Sequence, residues 1–211
     1  LGFDPKTKSG VVIGEKNHFR EFSQIHRGLK DGQNTTIGNE NFFMTTAHIG
    51  HDCAVGNNNV IANYVGVAGH VVIEDRVFIS GLVGIHQFCR IGSFAMIGGR
   101  TGIGKDVPPY TIVKHYGEVL GLNVIGLRRA GISAATRADL KVCYKHIFRT
   151  GKPLTKALDE LDEMWAGKAM APEVAKLIAF CRTKSKRGLS RGPRLHGGKT
   201  VADTDGGSDD S

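Results

Sequence analysis

The heptapeptide "AHIGHDC", residues 47–53, places His48 and His51 three residues apart and follows the second with Asp52. Three kinds of role are open to such a group. Two imidazoles and a carboxylate can ligate a metal ion. An imidazole backed by a carboxylate can take a proton near neutral pH, since its ordinary pKa is about 6.5. Histidines can also simply fill a core or a surface. His70 follows 19 residues after His51, and His86 a further 16 on. The choice among these roles depends on the backbone that carries them.

That backbone is announced by a repeat. Stepping by six from Ile37 gives Phe43, Ile49, Val55, Ile61, Val67, Ile73, Ile79, Ile85, Ile91, Ile97 and Ile103, twelve bulky apolar residues in succession. With 40% apolar residues overall, chance gives such a run about twice in 100,000 registers. The register also holds at Ile13, Phe19 and Ile25, glycine often follows the apolar residue, and the residue two before it is mostly small or aliphatic. A period of six belongs to parallel β-helices, in which each hexad supplies a short strand and a corner. The aliphatic residue points inward, and glycine or another small or polar residue takes the turn. Three hexads make one 18-residue coil. Residues 37–108 should form about four coils and residues 11–28 one more, with "HRGLKDGQNT" thrown out as a loop.

The repeat positions the histidines. His51 and His70 should both project outward, stacked in neighbouring coils because their spacing is one coil plus one residue. His86 should fall near the same edge in the next coil, with His48 beside them. Cys53 and Cys89 take inward positions two coils apart, too far for a disulfide with strands about 4.8 Å apart. All four cysteines read as reduced thiols, lacking CxxC spacing and the density of a disulfide scaffold.

Composition adds limits. A chain of 211 residues is long enough for one substantial core and a smaller appendage. The formal charge of +8 suits an acidic partner without identifying it. No apolar run approaches a membrane span, nothing reads as a secretory signal, and the expected location is cytoplasmic.

The segments "SQIHRG", "AHIGHDCAVGNNNVIAN", "VAGHVVIED", "GIHQFCRIG", "MIGG" and "DVPPY", followed by "GLNVIGLRRAG", resemble the UDP-N-acetylglucosamine O-acyltransferases of lipid A biosynthesis over about residues 11–191. Hexads are shared by many acyltransferases, whereas these segments in this order are specific. The resemblance implies a left-handed parallel β-helix with an α-helical C-terminal domain, assembled as a homotrimer with active sites between subunits. It implies transfer of an (R)-3-hydroxyacyl group from acyl carrier protein to the glucosamine 3-hydroxyl, without a cofactor. A sugar hydroxyl needs a base. His51 matches the family's base, Asp52 the carboxylate that orients it, and Gly69 the amide that stabilises the oxyanion. His48, His70, His86 and Gln87 match substrate contacts toward the sugar and its phosphates. Gly99 matches the position that closes or opens the acyl groove, and glycine there implies a long chain, around 3-hydroxymyristoyl.

The competing zinc reading is disfavoured: hexapeptide-repeat carbonic anhydrases use His-x4-His, which does not occur here. No metal, nucleic acid or stable membrane insertion is expected. Asn123 and Arg129 match family contacts to the uridine diphosphate moiety. Ile125 stands where glutamate is common and Ala130 where a second arginine is common, a departure that Arg128 could offset.

Past "DVPPY", where the prolines should end the strand ladder, spacing becomes helical from Ser133. Leu140, Cys143, Tyr144 and Ile147 form an apolar face ended by Gly151 and Pro153. Further helices are expected over 154–166 and 172–182. Arg137, Lys141, Lys145 and Arg149 form a basic stripe, a natural dock for the acidic carrier protein. The expected layout is therefore a β-helix domain over 1–110, a helical domain over 111–191 and a disordered extension over 192–211. By the resemblance, the family's further aspartate would lie immediately before Leu1, a lysine would occupy the place of Gly2, and several N-terminal coils are expected to be missing. Two alternatives keep the fold: an N-acyl- or acetyltransferase, and a non-catalytic β-helix assembly protein.

Overall fold

The computed structural model describes residues 4–192. They form a left-handed parallel β-helix followed by a helical region. The first face stacks β1 (Gly10–Ile13), β4 (Asn34–Ile37), β7 (Ala54–Val55), β10 (Val72–Ile73) and β13 (Arg90–Ile91). The second stacks β2 (His18–Phe19), β5 (Phe42–Phe43), β8 (Val60–Ile61), β11 (Phe78–Ile79) and β14 (Met96–Ile97), then β16 (Thr111–Lys114) and β17 (Glu118–Leu122). The third stacks β3 (Gln24–Ile25), β6 (His48–Ile49), β9 (Gly66–Val67), β12 (Gly84–Ile85) and β15 (Gly102–Ile103).

Inward residues pair in register from coil to coil, as Val55 with Ile73 and Val67 with Ile85. The twelve hexad residues Ile37 to Ile103 are all buried, and each contributes about 1.5–3 kcal/mol by leaving water. Cys53 and Cys89 lie in this core as free thiols, and burial pushes each up to about 11. The projecting loop spans 26–33, since Asn34 and Thr35 already belong to β4.

The corners correct one expectation. The left-handed position, three residues after the inward one, is held by non-glycine residues, among them Tyr64 (φ 58°), His70 (φ 59°) and Phe88 (φ 66°). Such conformations are uncommon for bulky side chains. Here each amide donates to a carbonyl one coil earlier: Tyr64 to Thr45 at 3.2 Å, His70 to His51 at 2.9 Å. The glycines after the inward residue serve space instead. A Cβ on Gly38 would lie 2.5 Å from the Gly56 carbonyl oxygen.

The prolines also act differently from expectation. Pro108 and Pro109 sit at a corner, where a missing donor costs the ladder nothing, and the chain re-enters as β16, parallel to β14. This coil is two residues short, Ile97 pairing with Val113. β17 then turns antiparallel onto β16.

Four helices follow: α1 (Val124–Arg129), which the sequence reading did not foresee, α2 (Ala134–Arg149), α3 (Leu154–Trp165) and α4 (Pro172–Arg182). Ser133 caps α2 by accepting from the Thr136 amide, and Leu140, Cys143, Tyr144 and Ile147 are its buried face. Buried Asp106 ties this region to the coils. It accepts from the Arg90 amide at 2.9 Å and pairs with the Arg90 guanidinium at 2.7 Å, while that guanidinium donates to the carbonyls of Phe180 and Thr183. Beyond α4 the chain returns along the last coil: the Asp106 amide donates to the Gly188 carbonyl, and the Ser190 amide to the Asp106 carbonyl, both at 2.8 Å.

Candidate active site

The corner between the third and first faces carries His51 and Asp52, then Gly69 and His70, then Gln87 and Phe88, in three successive coils. His51 Nδ1 lies 2.8 Å from Asp52 Oδ2. An ionised carboxylate only accepts, so Nδ1 is the donor, which in the neutral ring leaves the lone pair on Nε2. The carboxylate is held from the other side by the Leu29 amide, 3.2 and 3.3 Å from its two oxygens, and the Asp52 amide donates to Thr35 Oγ1 at 2.8 Å. The projecting loop thus fixes the orienting group. Gly28 permits this approach, because a Cβ there would meet the Gln33 carbonyl oxygen at 2.3 Å and Asp52 Oδ1 at 2.9 Å.

The His51 ring lies directly over Gly69. A Cβ at Gly69 would sit 2.4 Å from Cε1 and 2.5 Å from Nε2 of that ring. Glycine is therefore required for space, and the basic nitrogen and the Gly69 backbone share one small volume. Among the described residues the Gly69 N–H has no acceptor.

His70 continues the row. Its ring meets His51 edge to face at 5.0 Å and stacks on Phe88 at 4.9 Å with an 8° interplanar angle. Its Nε2 stands 3.8 Å from Asp52 Oδ2. Burial holds the His70 pKa below the usual value; His51, Lys186 and Lys30 push the same way, while Asp52 opposes them. One donor atom each from His51, Asp52 and His70 lies within 4.8 Å of the others, so among the described residues these three form a group that could hold a metal ion.

His48 and His86 occupy a second row, on the third face rather than the corner. They border a groove of about 570 Å³ whose floor is Gly66, Gly84 and Gly102. These glycines pair in register, and a Cβ on any of them would meet nothing within 4 Å. The result is a bare strip running up the third face from His48, which pairs in register with Gly66, to Gly102, three residues after Gly99. His48 is met edge to face by His26 at 4.7 Å, and burial, then His26, lowers its pKa. The His86 ring nitrogen contacts the Gln87 carbonyl at 3.2 Å, and both residues are exposed.

Gly99 has no positive φ; the left-handed residue of its corner is Arg100 (φ 57°). A Cβ at Gly99 would lie 3.3 Å from the Gly81 carbonyl oxygen and 3.8 Å from Ser80 Cβ. Backbone conformation does not demand glycine there.

The remaining candidates lie apart from the histidine corner. Asn123 caps α1 through the Gly126 amide at 3.0 Å and donates to the Phe94 carbonyl at 2.9 Å, so both ends of its side chain hold α1 to the corner between the first and second faces. Arg128 and Arg129 are exposed in the last turn of α1, Ile125 is 58% exposed, and Ala130 is the C-cap. The basic stripe divides. Arg137 donates to the Ile132 carbonyl, and Arg149 to Tyr144 Oη and the Leu120 carbonyl, whereas Lys141 and Lys145 are exposed. Leu29, Thr35, Phe88 and His26 were not singled out from sequence. The 18-residue spacing of Gly66, Gly84 and Gly102 was the visible signal for the strip.

Comparison with known proteins identifies the family. Residues 106–190 match the family described as Udp N-acetylglucosamine O-acyltransferase, Domain 2, and residues 34–69 match the bacterial transferase hexapeptide repeats. The chain is 44% identical to the acyl-[acyl-carrier-protein]--UDP-N-acetylglucosamine O-acyltransferase of Anaeromyxobacter sp. (strain K), over 87% of this chain and 70% of that protein. It superposes on the UDP-N-acetylglucosamine acyltransferase of Francisella novicida with a TM-score of 0.85 and 36% identity, covering 92% of this chain and 70% of that one. For the Arabidopsis enzyme the TM-score is 0.84 and the identity 37%, covering 90% of this chain and 69% of that one.

Proposed function

We propose, from the premise that this chain belongs to the UDP-N-acetylglucosamine O-acyltransferase family, that it moves an (R)-3-hydroxyacyl group from acyl carrier protein to the 3-hydroxyl of UDP-N-acetylglucosamine, opening lipid A biosynthesis. The observation that carries the mechanism is the His51–Asp52 pair poised over Gly69. His51 Nε2 takes the hydroxyl proton as the sugar oxygen attacks the thioester carbon. Asp52 holds the ring and stabilises the imidazolium. The oxyanion is met by the Gly69 N–H, which has no acceptor among the described residues. As the intermediate collapses, the carbon–sulfur bond breaks and His51 returns the proton to the departing thiolate. No covalent enzyme intermediate is required.

His70, His48, His86 and Gln87 bind the sugar and its phosphates in this reading. The glycine strip seats the acyl chain, and Gly99 leaves its far end open to a long chain. Asn123 and Arg129 serve the uridine diphosphate moiety, with Asn123 acting through the α1 cap. Lys141 and Lys145, flanked by Arg137 and Arg149, dock the acidic carrier protein. α1 is anchored at a different corner from His51, which supports a homotrimer whose sites join two subunits. No helix among the described residues is long and apolar enough to cross a membrane, consistent with a cytoplasmic enzyme.

The test is incubation with UDP-N-acetylglucosamine and a 3-hydroxyacyl carrier protein, following the product. An ester product, cleaved by mild base, is expected. An amide product with the 3-amino sugar alone would favour the N-acyltransferase reading, and no product from folded trimers the assembly-protein reading.

A further inference from the structure

The segment after α4 brings a cation onto the catalytic edge. Arg187 Nε donates to the Gly104 carbonyl at 2.9 Å, and the amides of Arg187 and Gly188 turn onto Ser185 Oγ at 3.3 and 3.1 Å. With the two Asp106 bonds already described, these contacts fix the backbone on either side of Lys186. Its Nζ stands 4.1 Å from the centroid of Phe88, the ring whose other contact is the stacked His70. The order along the edge is therefore His51, His70, Phe88, Lys186. Among the described residues no carboxylate pairs with Lys186, although the chain holds 20 acidic residues. Lys30, on the projecting loop, likewise has no ion pair, and both ammonium groups act on His70.

An ammonium placed over an aromatic face gains modestly, about 0.5–1 kcal/mol where exposed, and keeps its hydrogen-bond donors free. Such a group at the end of a catalytic row is suited to an anion. We propose that Lys186, with Lys30 as a second cation, binds a substrate phosphate at this edge and sets how tightly that substrate is held. This rests on the acyl-transfer reading above, in which two phosphates reach the site: the diphosphate of the sugar nucleotide and the phosphodiester of the carrier protein's pantetheine arm. The shared chemistry is a phosphate oxygen accepting from Nζ.

The experiment compares Lys186→Gln and Lys186→Arg in the full chain, varying each substrate in turn, with calorimetric binding of UDP and of 4′-phosphopantetheine beside the rates. Loss of one charge-assisted hydrogen bond should raise KM for one of the two substrates about tenfold, with kcat within about twofold and Lys186→Arg recovering most of the loss. The substrate whose KM moves identifies the phosphate, and binding of the matching probe should weaken in step. Unchanged KM for both substrates, or Lys186→Arg as impaired as Lys186→Gln, would overturn the proposal. Should the wild-type chain show no transfer, the acyl-transfer reading fails, and the calorimetry decides alone: equal binding of both probes by wild type and Lys186→Gln would overturn the phosphate site.

Discussion

At the corner between the first and second faces, Asn57 Oδ1 accepts the Asn39 amide at 2.8 Å, and Asp75 Oδ1 the Asn57 amide at 2.7 Å. Asn17, Asn41 and Asn59 form a parallel ladder inside it, each side-chain oxygen accepting an amide from the next coil, the last from Val77 at 2.7 Å. At the corner between the third and first faces, the places of Asn39, Asn57 and Asp75 are taken by His51, Gly69 and Gln87. There His51 bonds to the neighbouring Asp52 instead, and among the described residues the Gly69 amide has no acceptor. The backbone course is the same at both corners. One uses its side chains to close the hydrogen bonding of the coils, the other leaves them open toward solvent. On the proposed mechanism stability and chemistry occupy separate edges of one prism, and variants should separate them.

After loss of the base itself, the largest effect on turnover is expected from a single methyl group. Gly69→Ala puts a Cβ into the His51 ring, so the base must move; transfer per folded molecule should fall about 10²–10³-fold, measured as initial rate on a sample whose folded fraction is known. A rate near wild type would show that the ring tolerates displacement. Next, Gly99→Met should leave the chemistry intact and change its ruler. Competition between long and short 3-hydroxyacyl donors should shift toward the shorter by about tenfold or more, and an unchanged ratio would remove Gly99 from the groove. The smallest effect on turnover belongs to the other edge. Asn41→Ala strands the buried Asn59 amide and should cost about 2–3 kcal/mol by denaturant unfolding while activity per folded molecule stays near wild type.

The repeat made the coils legible because the inward residue recurs every sixth position and nothing else satisfies that pattern. The same arithmetic brought His70 beside His51, since 18 residues carry the chain once around the prism and His70 lies 19 after His51. Sequence was less informative about the reason for each glycine. Gly38 and Gly69 look alike as turn residues, yet one avoids a carbonyl oxygen and the other an imidazole. Contacts made by chain returning from far away left no local trace: the Leu29 amide on Asp52 depends on how the projecting loop folds back, and Lys186 on Phe88 depends on the segment beyond α4. Asn123 matches a family contact to the uridine diphosphate moiety, and its visible bonds cap α1, whose six residues are too few to show a helical spacing in the sequence. The expected extension beyond residue 192, and Leu1 and Gly2, lie outside the described residues.

The separation of the two edges is tested most directly by the rate of acyl transfer in His51→Ala, recorded together with the unfolding midpoint of the same sample. On the proposed mechanism the His51–Asp52 pair moves a proton rather than holding the coils. The rate should therefore fall about 10²–10⁴-fold while stability stays within about 0.5 kcal/mol of wild type. A rate within a few fold of wild type, or a loss of activity matched by loss of folded protein, would contradict the assignment of the chemistry to this edge.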